Sequence, residues 1–123
     1  MIDINEVEKI HDILIEKFGG GKGIRDKGLL ESAINRPFQT FDGLDLYPDP
    51  VDKAAAIFES IITNHPFVDG NKRTAYVLMR LILKSNNLDI RSGQNEKYDF
   101  VIKSASGQVS FDQIRAWIKG NLK

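Results

Sequence analysis

The chain predicts an all-α fold, a compact bundle of five or six helices with short connections. Three observations carry that expectation. Apolar residues recur at helical spacing in several separate stretches. Helix-start patterns precede them: Asp3 with Glu6, Asp26, Asp49-Pro50, and Ser110 with Gln113. The length of 123 residues suits one domain, 1–123, that can bury a single core without staples.

Asp3 and Glu6 have capping-box spacing, and Val7, Ile10, Leu14 and Phe18 behind them form one stripe. This first helix ends at Gly19. Gly19-Gly20-Gly21-Lys22-Gly23 invites a phosphate-loop reading. It follows a helix rather than a strand, however, and no Ser or Thr follows the lysine, so a helix stop and flexible connector is the better reading. Asp26 caps a short second helix through about Asn35, burying Leu29, Leu30, Ala33 and Ile34, and Arg36-Pro37 stops it. Residues 37–48 read as a loop with some strand character, in which Phe38 and Phe41 are expected to be packing anchors.

Asp49-Pro50 opens a strong helix, with Val51, Ala54, Phe58, Ile61 and Ile62 as its buried stripe. It delivers the chain to His65. From Lys72 a further helix begins. Its Ala75, Val77, Leu78, Met79, Leu81, Ile82 and Leu83 leave little polar surface, which predicts a place in the middle of the bundle. Asn86-Asn87 breaks the chain. A helix within Glu96 to Ser106 is expected to use Tyr98, Val101, Ile102 and Ala105 as its face. Ser110 and Gln113 then box the last helix, which carries Ile114, Trp117, Ile118 and Leu122.

Composition narrows the function classes. The chain has no cysteine, which suits a reducing cytoplasm and excludes thiolate metal sites. Seventeen basic and seventeen acidic residues balance, and no basic run appears, so no direct nucleic-acid partner is expected. No run approaches the ~18 apolar residues of a membrane span. The polar, acidic start lacks a signal-peptide pattern, so a cytoplasmic protein with no membrane partner is expected.

The chemistry concentrates in His65-Pro66-Phe67-Val68-Asp69-Gly70-Asn71-Lys72-Arg73. Pro66 ends one helix, Gly70 and Asn71 turn the chain, and the next helix starts. The first N–H groups of a helix lack intrahelical partners, and the dipole adds positive charge there. Acids usually occupy such a turn. Here it carries Lys72 and Arg73, which is unfavourable by roughly 0.3–1 kcal/mol per charge. A bound polyphosphate would compensate, with Lys72, Arg73 and Asn71 as its ligands and Gly70 allowing close backbone approach. His65 offers an imidazole that can accept a hydroxyl proton. Asp69 is an oxygen ligand for Mg2+, although it could also simply cap the helix. Asn71 could equally be a turn residue. Phe67 reads as a core staple, and His11, away from this company, as a packed or surface residue.

These nine positions are similar to the signature of Fic/Doc proteins. That resemblance extends through Gly23-Ile24-Arg25-Asp26, Gly28-Leu29-Leu30-Glu31-Ser32-Ala33, Arg36-Pro37 and Asp45-Leu46-Tyr47-Pro48, and covers roughly residues 1–90. Two departures, Lys72 in place of a glycine and Tyr76 in place of a second arginine, resemble the death-on-curing (Doc) branch. The resemblance implies the family's bundle, with a short flap hairpin from about 37–48 that aligns a target segment. It also implies a toxin of a toxin–antitoxin pair that uses ATP and magnesium to phosphorylate a Ser or Thr hydroxyl. Elongation factor Tu would be the target and a Phd-like antitoxin the partner. The implied roles are His65, Asp69, Lys72 and Arg73 in catalysis, Gly70, Asn71, Lys72 and Arg73 on phosphate, and Asp69 on the metal. A Fic-type AMP transferase and a non-catalytic binding module of the same fold are the rival readings. Ser92 to Glu96 matches the first five positions of a Fic self-inhibitory motif, but Lys97 breaks the sixth, which favours inhibition by a partner.

Overall fold

The computed structural model describes residues 2–123. Among these, six α-helices and one hairpin follow in order: α1 (Ile4–Phe18), α2 (Lys27–Asn35), a 3-10 turn (Arg36–Phe38), β1 (Thr40–Phe41), β2 (Leu44–Asp45), α3 (Pro50–Asn64), α4 (Asn71–Ser85), α5 (Gln94–Ala105) and α6 (Phe111–Gly120). The expected mostly helical bundle with a short hairpin is the fold observed.

Most helix starts obey the local patterns. Asp26 accepts from the N–H of Leu29, and Asp49 accepts from Val51 with Pro50 at the first helical position. Ser110 and Gln113 form a reciprocal capping box. The Asp3–Glu6 spacing does not: Asp3 accepts from Asn5 instead, one residue early.

α3 is the centre of the bundle and packs against α2, α4, α5 and α6. Ala54, Ala55, Ala56, Ile57 and Phe58 are all fully buried, because three consecutive alanines let neighbours approach on every side. The expectation gave that place to α4. The long apolar run of α4 does bury Leu78, Met79 and Leu83, but Leu81 is exposed and Val77 faces a groove. At the far side of α3, Phe58, Phe100 and Trp117 stack in series at 5.1 Å and 3.9 Å between ring centres, tying α5 and α6 to the core.

The hairpin forms where only a loop with strand character was legible. Thr40 pairs with Asp45 and Phe41 with Leu44, antiparallel. Asp42 and Gly43, at φ 53° and 75°, make the two-residue turn whose twist suits such a ribbon. Its base is held by Arg36, which donates to the Tyr47 hydroxyl and Ser60 Oγ, each at 2.9 Å, and pairs with Glu59. Phe41 is 72% exposed, so it is not the packing anchor expected; a two-residue strand projecting from the bundle has no core to face.

Candidate active site

The turn from α3 to α4 is fixed by backbone pairing with residues far away in sequence. His65 closes α3 in the left-handed region, at φ 50°, which a non-glycine residue holds only with support. Arg25 supplies that support. Its guanidinium donates to the carbonyls of Asn64 and His65 at 2.6 Å and 2.7 Å. The backbone N–H groups of Arg25 and Asp26 donate to the Pro66 carbonyl, and Val68 donates to Gly23. Phe67 is buried at the centre of the turn, as expected of a staple. The imidazole of His11 stacks on it at 3.9 Å.

Asn71 has a larger structural part than its turn chemistry suggested. Its Oδ1 accepts from the N–H of Phe67 and its Nδ2 donates to the Phe67 carbonyl, both at 3.0 Å. The side chain therefore locks the loop from inside, and what remains for a ligand is chiefly the backbone N–H, which opens α4.

Gly70 sits at the N-cap in the left-handed region, at φ 74°, and no side chain caps α4. Asp69 therefore does not cap the helix. Its Oδ1 accepts from its neighbour Gly70 at 2.8 Å and its Oδ2 from Gly21 at 3.2 Å. The Gly70 and Gly21 N–H groups, and then the Lys72 charge, hold this exposed carboxyl below its ordinary range, so it is ionised at neutral pH. Its remaining lone pairs open to solvent.

The first turn of α4 is thus uncapped and cationic. Among the described residues, neither Lys72 nor Arg73 takes part in an ion pair. Arg73 instead lies over the Phe18 ring, its Cζ 4.0 Å from the ring centre. Stacking of this kind presets the guanidinium while leaving its donors free.

All six sequence-predicted residues, His65, Asp69, Gly70, Asn71, Lys72 and Arg73, line one groove of about 860 Å³. Its floor is α4, with Tyr76, Val77 and Arg80. Its walls are Leu14 and Phe18 of α1, and Lys97, Tyr98, Val101 and Ile102 of α5. Two of the expected helix faces are corrected here. α1 buries Val7, His11 and Ile15 in the core and turns Leu14 and Phe18 to the groove. α5 buries Phe100 and Ser104 and leaves Tyr98 69% exposed. An apolar stripe along a groove has the same periodicity as a stripe in a core, which is why both were misread.

Reading the sequence missed Arg25 and His11 as parts of this site. Both act through backbone carbonyls, and they lie 40 and 58 positions from their partners, His65 and Asp69, so nothing local marked them.

A single carboxylate stands in the groove near the cations, and among the described residues no cluster of three or more His, Cys, Asp or Glu could hold a metal by itself. This donor set fits Mg2+, which takes one or two carboxylates and completes its shell with water and substrate phosphate. No helix among the described residues is long and apolar enough to cross a membrane.

Comparison with known proteins matches residues 1–83 to the family described as the Fic/DOC family. A protein named Toxin Doc, from Mycolicibacterium smegmatis, is 38% identical over 105 residues, which span 84% of this chain and 81% of that protein. A protein named Protein kinase doc, from Escherichia phage P1, is 28% identical over 113 residues, 92% of this chain and 88% of its own length.

Proposed function

The chain belongs to the Fic/DOC family, and from that premise we propose that it is a Doc-like toxin and protein kinase. It acts in the cytoplasm as one domain, transferring the ATP γ-phosphate to a Ser or Thr hydroxyl of a translation factor. Elongation factor Tu is the target that the resemblance implies, and a Phd-like antitoxin is the inhibitor. One observation carries the reading. An uncapped helix N-terminus bearing two unpaired cations opens into the same groove as an exposed histidine and an ionised aspartate.

Each group has a role in the transfer. The target hydroxyl lies against His65, which takes its proton as the hydroxyl oxygen bonds to the γ-phosphorus and the bond to the β-phosphate oxygen breaks, releasing ADP. Lys72 and Arg73, with the backbone N–H groups of Asn71 and the residues after it, hold the phosphate oxygens as charge shifts. Arg73, preset by Phe18, loses little side-chain freedom when it engages. Asp69 would hold Mg2+, which neutralises phosphate charge when bound. Tyr76 is buried against the groove where an AMP transferase carries its second arginine clamp, and this favours the kinase.

The test uses purified protein, magnesium and elongation factor Tu, with ATP labelled at the γ- or the α-phosphate and His65→Ala as control. Transfer of γ-label alone is expected, and its loss in His65→Ala. Transfer of α-label would make the protein an AMP transferase. Lys72→Gly alone is expected not to convert the chemistry, because Tyr76 still stands in place of the arginine.

A further inference from the structure

The glycine-rich stretch after α1 makes no phosphate loop, yet it touches the site. Gly21 donates its N–H to Asp69 Oδ2 at 3.2 Å. Gly20 lies beside the same oxygen, at φ 117°. A Cβ there would stand 2.7 Å from Oδ2 and 3.2 Å from the carboxyl carbon. On the inner side, His11 Nε2 is 2.7 Å from the Asp69 carbonyl oxygen. A carbonyl only accepts, so Nε2 carries the proton. His11 is 1% exposed and fixed by its stack on Phe67, 6° from parallel. Asp69 is therefore held at both ends by one segment of chain: its carbonyl from within α1, its carboxylate from the loop that follows.

We infer that residues 11–21 form a clamp that sets the Asp69 carboxylate for a divalent cation. The inference rests on the proposed metal role of Asp69 and deepens it. A carboxylate offers about four lone pairs. The N–H groups of Gly70 and Gly21 take one on each oxygen. The remaining pairs have one orientation, and the rotor is stopped before the cation arrives. Partners of this kind behind a ligating side chain govern affinity by about 10–100-fold. Glycine at position 20 is required on this account, since any side chain would push the carboxylate off its two donors.

Mn2+ is the probe, titrated with ATP present and followed by the loss of free-Mn2+ paramagnetic signal. Asp69→Asn and Gly20→Ala are expected to weaken Mn2+ binding about tenfold or more. Gly21→Pro replaces the N–H by a ring Cδ that points at the same carboxylate oxygen, and is expected to do the same. Gly107→Ala, at φ 78° with nothing within 4 Å of its Cβ, carries comparable backbone strain far from the site. It is expected to bind Mn2+ as the parent does. ATP binding in EDTA should be alike in the parent and the three glycine variants, which separates the clamp from general damage to the groove. If Asp69→Asn loses Mn2+ while Gly20→Ala and Gly21→Pro keep it, the clamp is wrong and the metal role stands. If Asp69→Asn binds as the parent does, the metal role falls and the clamp falls with it.

Discussion

Asn71→Ala separates the two uses of this side chain. In the structure both ends of the amide serve Phe67, at 3.0 Å each. Phe67 is 1% exposed, so its N–H and carbonyl have no ready water when the amide is gone. An unsatisfied buried group costs about 1–3 kcal/mol. Two such groups, with some water entering from the groove, give a loss of about 2–4 kcal/mol. For a chain of this size that lowers Tm by about 6–20 °C, at roughly 3–5 °C per kcal/mol. Urea unfolding followed by circular dichroism measures the first quantity and a thermal scan the second. Asn71→Asp keeps the acceptor for the Phe67 N–H but sets a second acceptor oxygen against the Phe67 carbonyl, so it should not recover the parent stability. The loop reasoning fails if Asn71→Ala loses less than about 1 kcal/mol while phosphoryl transfer collapses. That pair of results would mean the amide serves the ligand and the loop holds itself.

Other expectations follow from single contacts. Arg25→Met should leave the core intact but free the carbonyls of Asn64 and His65, lowering transfer at least about tenfold, with a Tm change under a few degrees; unchanged turnover would show that His65 needs no such support. Asp89, bound by Arg80 Nε and Nη2 at 2.9 Å and 3.0 Å, has its pKa lowered from 3.8 to about 2, chiefly by that pairing. A depressed carboxylate stabilises the fold above its ordinary pKa and loses that contribution as pH falls through the folded value. Asp89→Asn should therefore cost roughly 2 kcal/mol at neutral pH and flatten the decline in stability between about pH 4 and 2, read by urea titration at each pH. Phe41→Ser should leave Tm unchanged within about 2 °C, because the ring is 72% exposed; a larger drop would mean the hairpin packs more tightly than its exposure indicates.

Much of this was legible from short-range chemistry. Asp26, Asp49-Pro50 and Ser110 with Gln113 start their helices through contacts two or three residues away, and such contacts can be read directly from a sequence. The nine motif positions were legible for the same reason: one turn and one helix start bring them together. The faces of α1 and α5 were not. Leu14, Phe18, Tyr98, Val101 and Ile102 are apolar at helical spacing, and spacing alone does not separate a buried stripe from the wall of a groove. Asn71 was read as a turn residue but is the first residue of α4, and its bonds to Phe67 depend on the fold of the loop. His11 looked like any packed histidine, because the carbonyl it reaches belongs to a loop 58 positions further along the chain.

The long-range ties around the motif also bear on the order in which the protein comes into being and comes apart. His11 meets Asp69 across 58 positions and Arg25 meets His65 across 40. Closing such spans costs chain entropy that only later contacts repay. α3 and α4 are neighbours in sequence and can pair early, without them. A folding chain would therefore own its helical hairpin before the ties around the motif were closed. The reverse holds on heating: α1 contributes few core residues, and its detachment alone would release Asp69 while the bundle stayed folded. On this account an ordered Asp69 and a folded bundle are separable, and the first helix is where they part.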